Sequence, residues 1–163
     1  MTYEEIYHRY AKEVYNSIYR IVQHTGEAED LLQETFLDAF EDLDYFFSRP
    51  QPSAWLKRVG INKSIAVLRK RKLLLVDSKD DLPDMSSEIT DDQDFEIELN
   101  HVLTAIQQLP PGYRTIVQLY LIEDIPQEEI GQMLGIAHST VRSQHFRARK
   151  QIIRLVQKMK TNG

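Results

Sequence analysis

The side chains best suited to reading nucleic acid lie at the end of one stretch, LPPGYRTIVQLYLIEDIPQEEIGQMLGIAHSTVRSQHFRARK, residues 109–150. Wound as a helix at ~100° per residue, its last third puts Ser139, Arg142, Ser143, Phe146 and Lys150 on one face, with Arg147 at the flank. A guanidinium can fork onto a guanine edge, a serine hydroxyl can bond either base type, and a phenyl ring can touch a thymine methyl. A phenylalanine among arginines has no obvious use on a face that meets only water. Val141, His145, Ala148 and Ile152 fall on the opposite stripe, which should face a core. The alternative is a solvated basic helix closing a bundle. Turn, core spacing and basic face together favour the DNA reader.

The elements before this helix must present it. Pro126 ends a helix holding Ile116, Val117, Leu119, Tyr120 and Leu121 and opens the next. Ile130 and Leu134 share one face of that short helix and should pack inward. Gly131 leaves room for a second helix to cross, and Gly135 follows Leu134 where a left-handed backbone is cheapest for glycine. Ile136 and Val141 anchor the turn. Helix, break, short helix, glycine turn and basic helix make the order of a helix-turn-helix.

A second set of such residues lies upstream. SAWLKRVGINKSIAVLRKRK, from about residue 53, places Trp55, Val59, Asn62 and Ala66 on one face with Arg58 and Arg69 beside them. Tryptophan, arginine and asparagine in one strip suit single-stranded or distorted DNA; a core tryptophan with a solvated basic tail is the plainer reading. The preceding DYFFSRPQPS, 44–53, reads as a loop stiffened by Pro50 and Pro52. Its Tyr45, Phe46 and Phe47 could plug a local core, the commoner use, or stack on unpaired bases. Before it, EAEDLLQETFLDAFEDL, 27–43, should bury Ala28, Leu31, Leu32, Thr35, Phe36 and Ala39. Its other face shows Asp30, Gln33, Glu34, Leu37 and Phe40. That face is either a docking surface for a basic helix or a solvated face on which Phe40 covers a loop. Residues 3–24 form an amphipathic core helix through Ile6, Tyr10, Val14, Ile18 and Ile21, and Thr25-Gly26 breaks it.

Composition narrows the classes. With 163 residues there is room for one domain or two small ones, and the absence of cysteine excludes disulfides, thiolate zinc sites and thiol catalysis. No apolar run approaches the ~20 residues of a membrane span, so no membrane insertion is expected. Glu4, Glu5 and His8 interrupt any signal peptide, and the expected location is cytoplasmic. The histidines are scattered, so no catalytic residue, cofactor or metal ligand is expected. The net charge of −5 argues against nucleic acid only until its distribution is read. Lysines and arginines collect at 57–72 and 142–160, acids at 27–44 and 77–98. Two basic surfaces suit phosphate. The expected fold is all-α: two small helical domains, 1–74 and 96–160, joined by a flexible acidic linker at 75–95. The second domain is the helix-turn-helix. Phe95–Leu109 returns to helix with Ile97, Val102, Leu103 and Ile106 as its apolar positions, and residues from Lys158 onward should fray.

Taken together, the chain resembles the bacterial RNA polymerase sigma factors, specifically the extracytoplasmic-function (ECF) group. GEAEDLLQETFLDAF is similar to the family's polymerase-binding helix, AWLKRVGINKSIAVLRKRK to its promoter-melting helix, and residues 109–150 to its minus-thirty-five reader. The resemblance implies that Asp30, Gln33, Glu34 and Leu37 dock on the clamp helices of the largest polymerase subunit. It implies that Phe46, Phe47, Trp55, Arg58, Asn62 and Arg69 engage the minus-ten strand, with one base flipped out near the aromatic loop. Ser139, Arg142, Ser143, Phe146, Arg147 and Lys150 would read promoter duplex in the major groove. It also implies an anti-sigma factor as partner, regulation being expected in another protein because no C-terminal extension is seen.

This chain departs from the family pattern at Ala137, where serine is frequent, and at Gln144, where a second arginine is common. Ala66 replaces a frequent acid and Pro52 a frequent aromatic. The competing function is a stand-alone helix-turn-helix regulator acting as a dimer on a palindromic site.

Overall fold

The computed structural model describes residues 2–74 and 99–162, and among these there are helices and no strand, as the all-α expectation required. The expected linker, 75–95, lies outside the described residues, as do Phe95 and Ile97. The chain divides into two compact units, Met1–Lys72 and Leu73–Gly163.

In the first unit, α1 (Tyr3–Val22) opens on a reciprocal cap: Glu5 N–H donates to Thr2 Oγ1 and Thr2 N–H to Glu5 Oε2, both at 3.2 Å. It ends where Gln23 turns left-handed at φ 53°. The break therefore precedes Thr25-Gly26, which form the first turn of α2 (Thr25–Glu41). The His24 ring caps that turn, its Nδ1 accepting from Glu27 N–H at 3.1 Å. Residues 44–53 are not a single loop. The Asp42 carboxylate accepts from Tyr45 N–H at 3.0 Å and starts a short helix, α3 (Leu43–Ser48). Pro52 then opens α4 (Pro52–Lys70), as a proline without a needed N–H can.

Ile6, Val14, Ile18 and Ile21 of α1 pack with Leu31, Leu32 and Phe36 of α2 and Leu56, Ile61, Ile65 and Leu68 of α4, all buried. Tyr10 is only half-buried. At Gly60 a Cβ would lie 3.0 Å from two carbons of Ile18, so α1 and α4 cross as closely as they do because no side chain stands there. Phe40, expected on the exposed face, is half-buried, its ring meeting Tyr3 of α1 at 4.7 Å between centroids.

The second unit comprises α5 (Leu99–Gln108), α6 (Pro111–Val117), α7 (Gln127–Leu134) and α8 (His138–Asn162). A π-helical turn, Gln118–Ile122, extends α6, with Glu123 N–H donating to Gln118 O at 3.1 Å. Ala105, Ile106, Leu109, Tyr113 and Val117 pack against Ala148, Ile152 and Val156 of α8. That packing explains why α8 continues to Asn162 instead of fraying after Lys158: Leu155 and Met159 still lean on this core. Leu134 stays half-buried, so Ile130, fully enclosed, is the inward anchor of α7. Arg114 is buried on α6, donating to the Leu109 carbonyl at 3.3 Å, and burial lowers its pKa.

Candidate nucleic-acid interface

Three faces carry the candidate residues. In the second unit, Gly135 closes α7 at φ 71°, and its N–H donates to Gly131 O. A Cβ on Gly131 would come within 2.8 Å of the Ile136 carbonyl oxygen. The glycine is thus required by the turn's backbone more than by a crossing helix. From that turn α8 leaves with Val141 and Ala148 fully buried, and Ser139, Arg142, Ser143, Phe146 and Arg147 exposed. Lys150 is half-buried because its Nζ folds over the Phe146 ring at 4.5 Å. Phe146 is 56 % exposed. His145, expected on the core stripe, is half-buried against Tyr120, edge to face at 4.7 Å between centroids. Desolvation, and then the charge of Arg149, hold its pKa below the usual histidine range.

In the first unit, α4 turns Leu56, Gly60, Ile61, Ser64, Ile65 and Leu68 inward. Asn62, Ala66 and Arg69 stand exposed on the outer face, where Trp55, Arg58 and Val59 are half-buried. The aromatic residues before it divide. Phe46 is 1 % exposed, its ring about 6 Å from both Tyr10 and Trp55, so it is the core plug and is not available to stack on a base. Its neighbours on α3 point outward: Phe47 and Tyr45 are exposed, Tyr45 edge-on to Trp55 at 5.9 Å with Arg49 lying over its ring at 4.3 Å. Arg49 was missed because the segment reads as a loop; once α3 is a helix, residues 45 and 49 are neighbours by i, i+4 spacing.

On α2, Asp30, Gln33, Glu34 and Leu37 are all exposed, and Leu37 is 62 % exposed among acids. Sequence reading also passed over what Glu34 touches. Lys63 of α4 reaches across to Asp38 Oδ2 at 3.0 Å and Glu34 Oε2 at 3.8 Å. At the other end of α2, Arg71 pairs with Glu27. That hydrogen bond, opposed by burial, holds the Glu27 carboxyl below its ordinary pKa.

An exposed acidic and apolar face on α2, an aromatic and basic strip on α3 and α4 and a basic helix-turn-helix face on α8 fit a class of protein that binds both DNA and another protein. Comparison with known proteins narrows it. The Sigma-70 region 2 family model matches residues 6–73, and that of Sigma-70, region 4 matches 99–152. The ECF RNA polymerase sigma factor SigM of Bacillus subtilis is 31 % identical over 93 % of this chain and 93 % of its own length. SigW of the same organism is 31 % identical, covering 88 % of this chain and 82 % of its own length. The fold matches that of the sigma factor RpoE from Bartonella quintana, solved with the anti-sigma factor NepR, at a TM-score of 0.57 and 20 % identity. The match covers 94 % of this chain and 96 % of RpoE.

The chain belongs to the ECF RNA polymerase sigma factors. It binds core RNA polymerase, recognises promoter DNA and helps to melt it, and the dimeric-regulator reading falls. Sigma factors are in general non-enzymatic. Among the described residues no helix is long and apolar enough to cross a membrane.

Proposed function

We propose that the three faces divide the work of initiation between them. Asp30, Gln33, Glu34 and Leu37 of α2 dock on the clamp helices of the largest polymerase subunit. Trp55, Arg58, Asn62 and Arg69 of α4, with Phe47 of α3, hold the separated minus-ten strand. Ser139, Arg142, Ser143, Phe146, Arg147 and Lys150 of α8 read minus-thirty-five duplex. The first unit would then be the region-2 domain and the second the region-4 domain, joined through residues 75–95.

The observation that carries this reading is the segregation of charge and exposed ring on separate helices. The exposed apolar residue of α2 is ringed by acids, which suits a basic helix. The exposed rings of α3 and α8 stand among cations, which suits bases and phosphate. Neither arrangement does chemistry: the protein positions polymerase and stabilises an open strand, and we assign it no catalysis. An anti-sigma factor is the expected regulator. RpoE, solved with the anti-sigma factor NepR, and CnrH, solved with the cytosolic domain of CnrY, share this fold. The expected location is the cytoplasm, with polymerase.

The experiment is transcription in vitro with core RNA polymerase and a library of promoter fragments. Specific transcripts should appear with the native chain and vanish with Asp30→Arg, which keeps the fold because Asp30 is exposed. Transcription and polymerase binding undiminished by Asp30→Arg would remove α2 as the docking face.

A further inference from the structure

We infer that Lys63 couples polymerase docking to DNA binding: its ammonium is held by α2 in the free protein and passes to promoter phosphate when polymerase takes that face. The inference rests on the docking role proposed for α2. Lys63 sits on the flank of α4, next to exposed Asn62 and one turn from exposed Ala66, so its stem borders the strand-holding face. Its head, however, points to the neighbouring helix, 3.0 Å from Asp38 and 3.8 Å from Glu34. The two acids lie one turn apart on α2 and share one cation.

Glu34 belongs to both arrangements. A basic helix docking on α2 competes with Lys63 for the same carboxylates, and in doing so releases a positive charge beside the DNA strip. A lysine is suited to such a transfer, being a point charge on a flexible four-carbon stem with no fork geometry to satisfy. The pair is partly solvated, with Lys63 27 % exposed and Glu34 58 % exposed in their side chains. An exchange of this kind is therefore small and reversible. By linkage, whatever polymerase docking adds to DNA affinity through Lys63, DNA adds to polymerase affinity.

The test uses the full-length protein, core polymerase and a promoter fragment recovered by the transcription assay. Lys63→Met should bind core polymerase about two- to five-fold more tightly, since no internal cation competes for Glu34. In the holoenzyme the same variant should reduce the slope of log affinity against log salt by about 0.7–0.9, the loss of one phosphate contact. Asp38→Asn, which loosens the closer clamp, should tighten binding of the protein alone to the single non-template strand about two- to five-fold at low salt. If Lys63 only arranges the docking face, Lys63→Met weakens polymerase binding and leaves the salt slope unchanged, which overturns the inference. An Asp38→Asn protein with unaltered strand affinity overturns it as well, whether or not Lys63→Met folds. Asp30→Arg serves as the control: if it still binds polymerase the docking role itself fails, whereas its loss alongside a null Lys63→Met result rejects only the coupling.

Discussion

The two helices for which DNA contacts are proposed present aromatic side chains in opposite ways. On α4, Trp55 is half-buried and wedged against Phe46 and Tyr45, so the aromatic surface of the first unit is continuous with its core. On α8, Phe146 is 56 % exposed, and the ring contact it makes within its unit is with Lys150. The contrast follows from what each helix would meet. A separated strand must be caught on a rigid platform, because unpairing is offset only by stacking already in place. A duplex needs side chains that protrude into a groove some 8.5 Å deep.

The comparison can be broken at several points. The largest effect is expected from Phe46→Ala, which removes a fully buried ring and should destabilise the first unit by about 3–5 kcal/mol, measured by denaturant unfolding. Phe146→Ala should leave stability within about 0.5 kcal/mol while weakening promoter binding. Similar losses of stability from the two would erase the distinction.

Arg142→Ala tests direct readout on α8. It should cost about 1–3 kcal/mol and relax selectivity at a single promoter position. An equal loss on every sequence would make Arg142 a phosphate contact.

Gln118 tests the packing of the second unit. It is 1 % exposed, and among the described residues nothing hydrogen-bonds its amide oxygen or nitrogen. Gln118→Met removes that cost and should raise the stability of the second unit by about 1–2 kcal/mol. A loss of stability would mean that the amide is satisfied by water.

The smallest effect is a pH dependence confined to the second unit. Folding disfavours the charged form of His145, so the unfolded chain binds that proton more tightly. Stability should be full at neutral pH and decline as pH falls through the ordinary histidine value of about 6.5. His145→Gln should flatten that decline; an unchanged profile would locate the dependence elsewhere.

Much of this organisation was legible before any coordinates. The periodicity of Ile6, Val14, Ile18 and Ile21, and of Val141, Ala148 and Ile152, marked the buried stripes, because a side chain's direction on a helix repeats every ~3.6 residues. Gly135 marked the left-handed cap for another local reason, the absence of a Cβ. The reading failed where the determinant was not periodic. Prolines at 50 and 52 suggested a loop, yet the Asp42 cap nucleates α3 ahead of them. Met159 looked like part of a fraying end, yet the core of the second unit holds it.

Sequence alone was enough for every helix but α3, for the segregation of charge among them and for the family to which those motifs belong. These follow from composition and spacing along a single helix. Packing between helices settles which of three adjacent aromatics is the core plug, and which acids on α2 hold the charge of Lys63. Tyr45, Phe46 and Phe47 are chemically near-equivalent in the sequence; they differ because α3 turns one of them toward Tyr10 and Trp55. Lys63 looks like any member of a basic block, and the side on which it is paired exists only once α2 and α4 pack together.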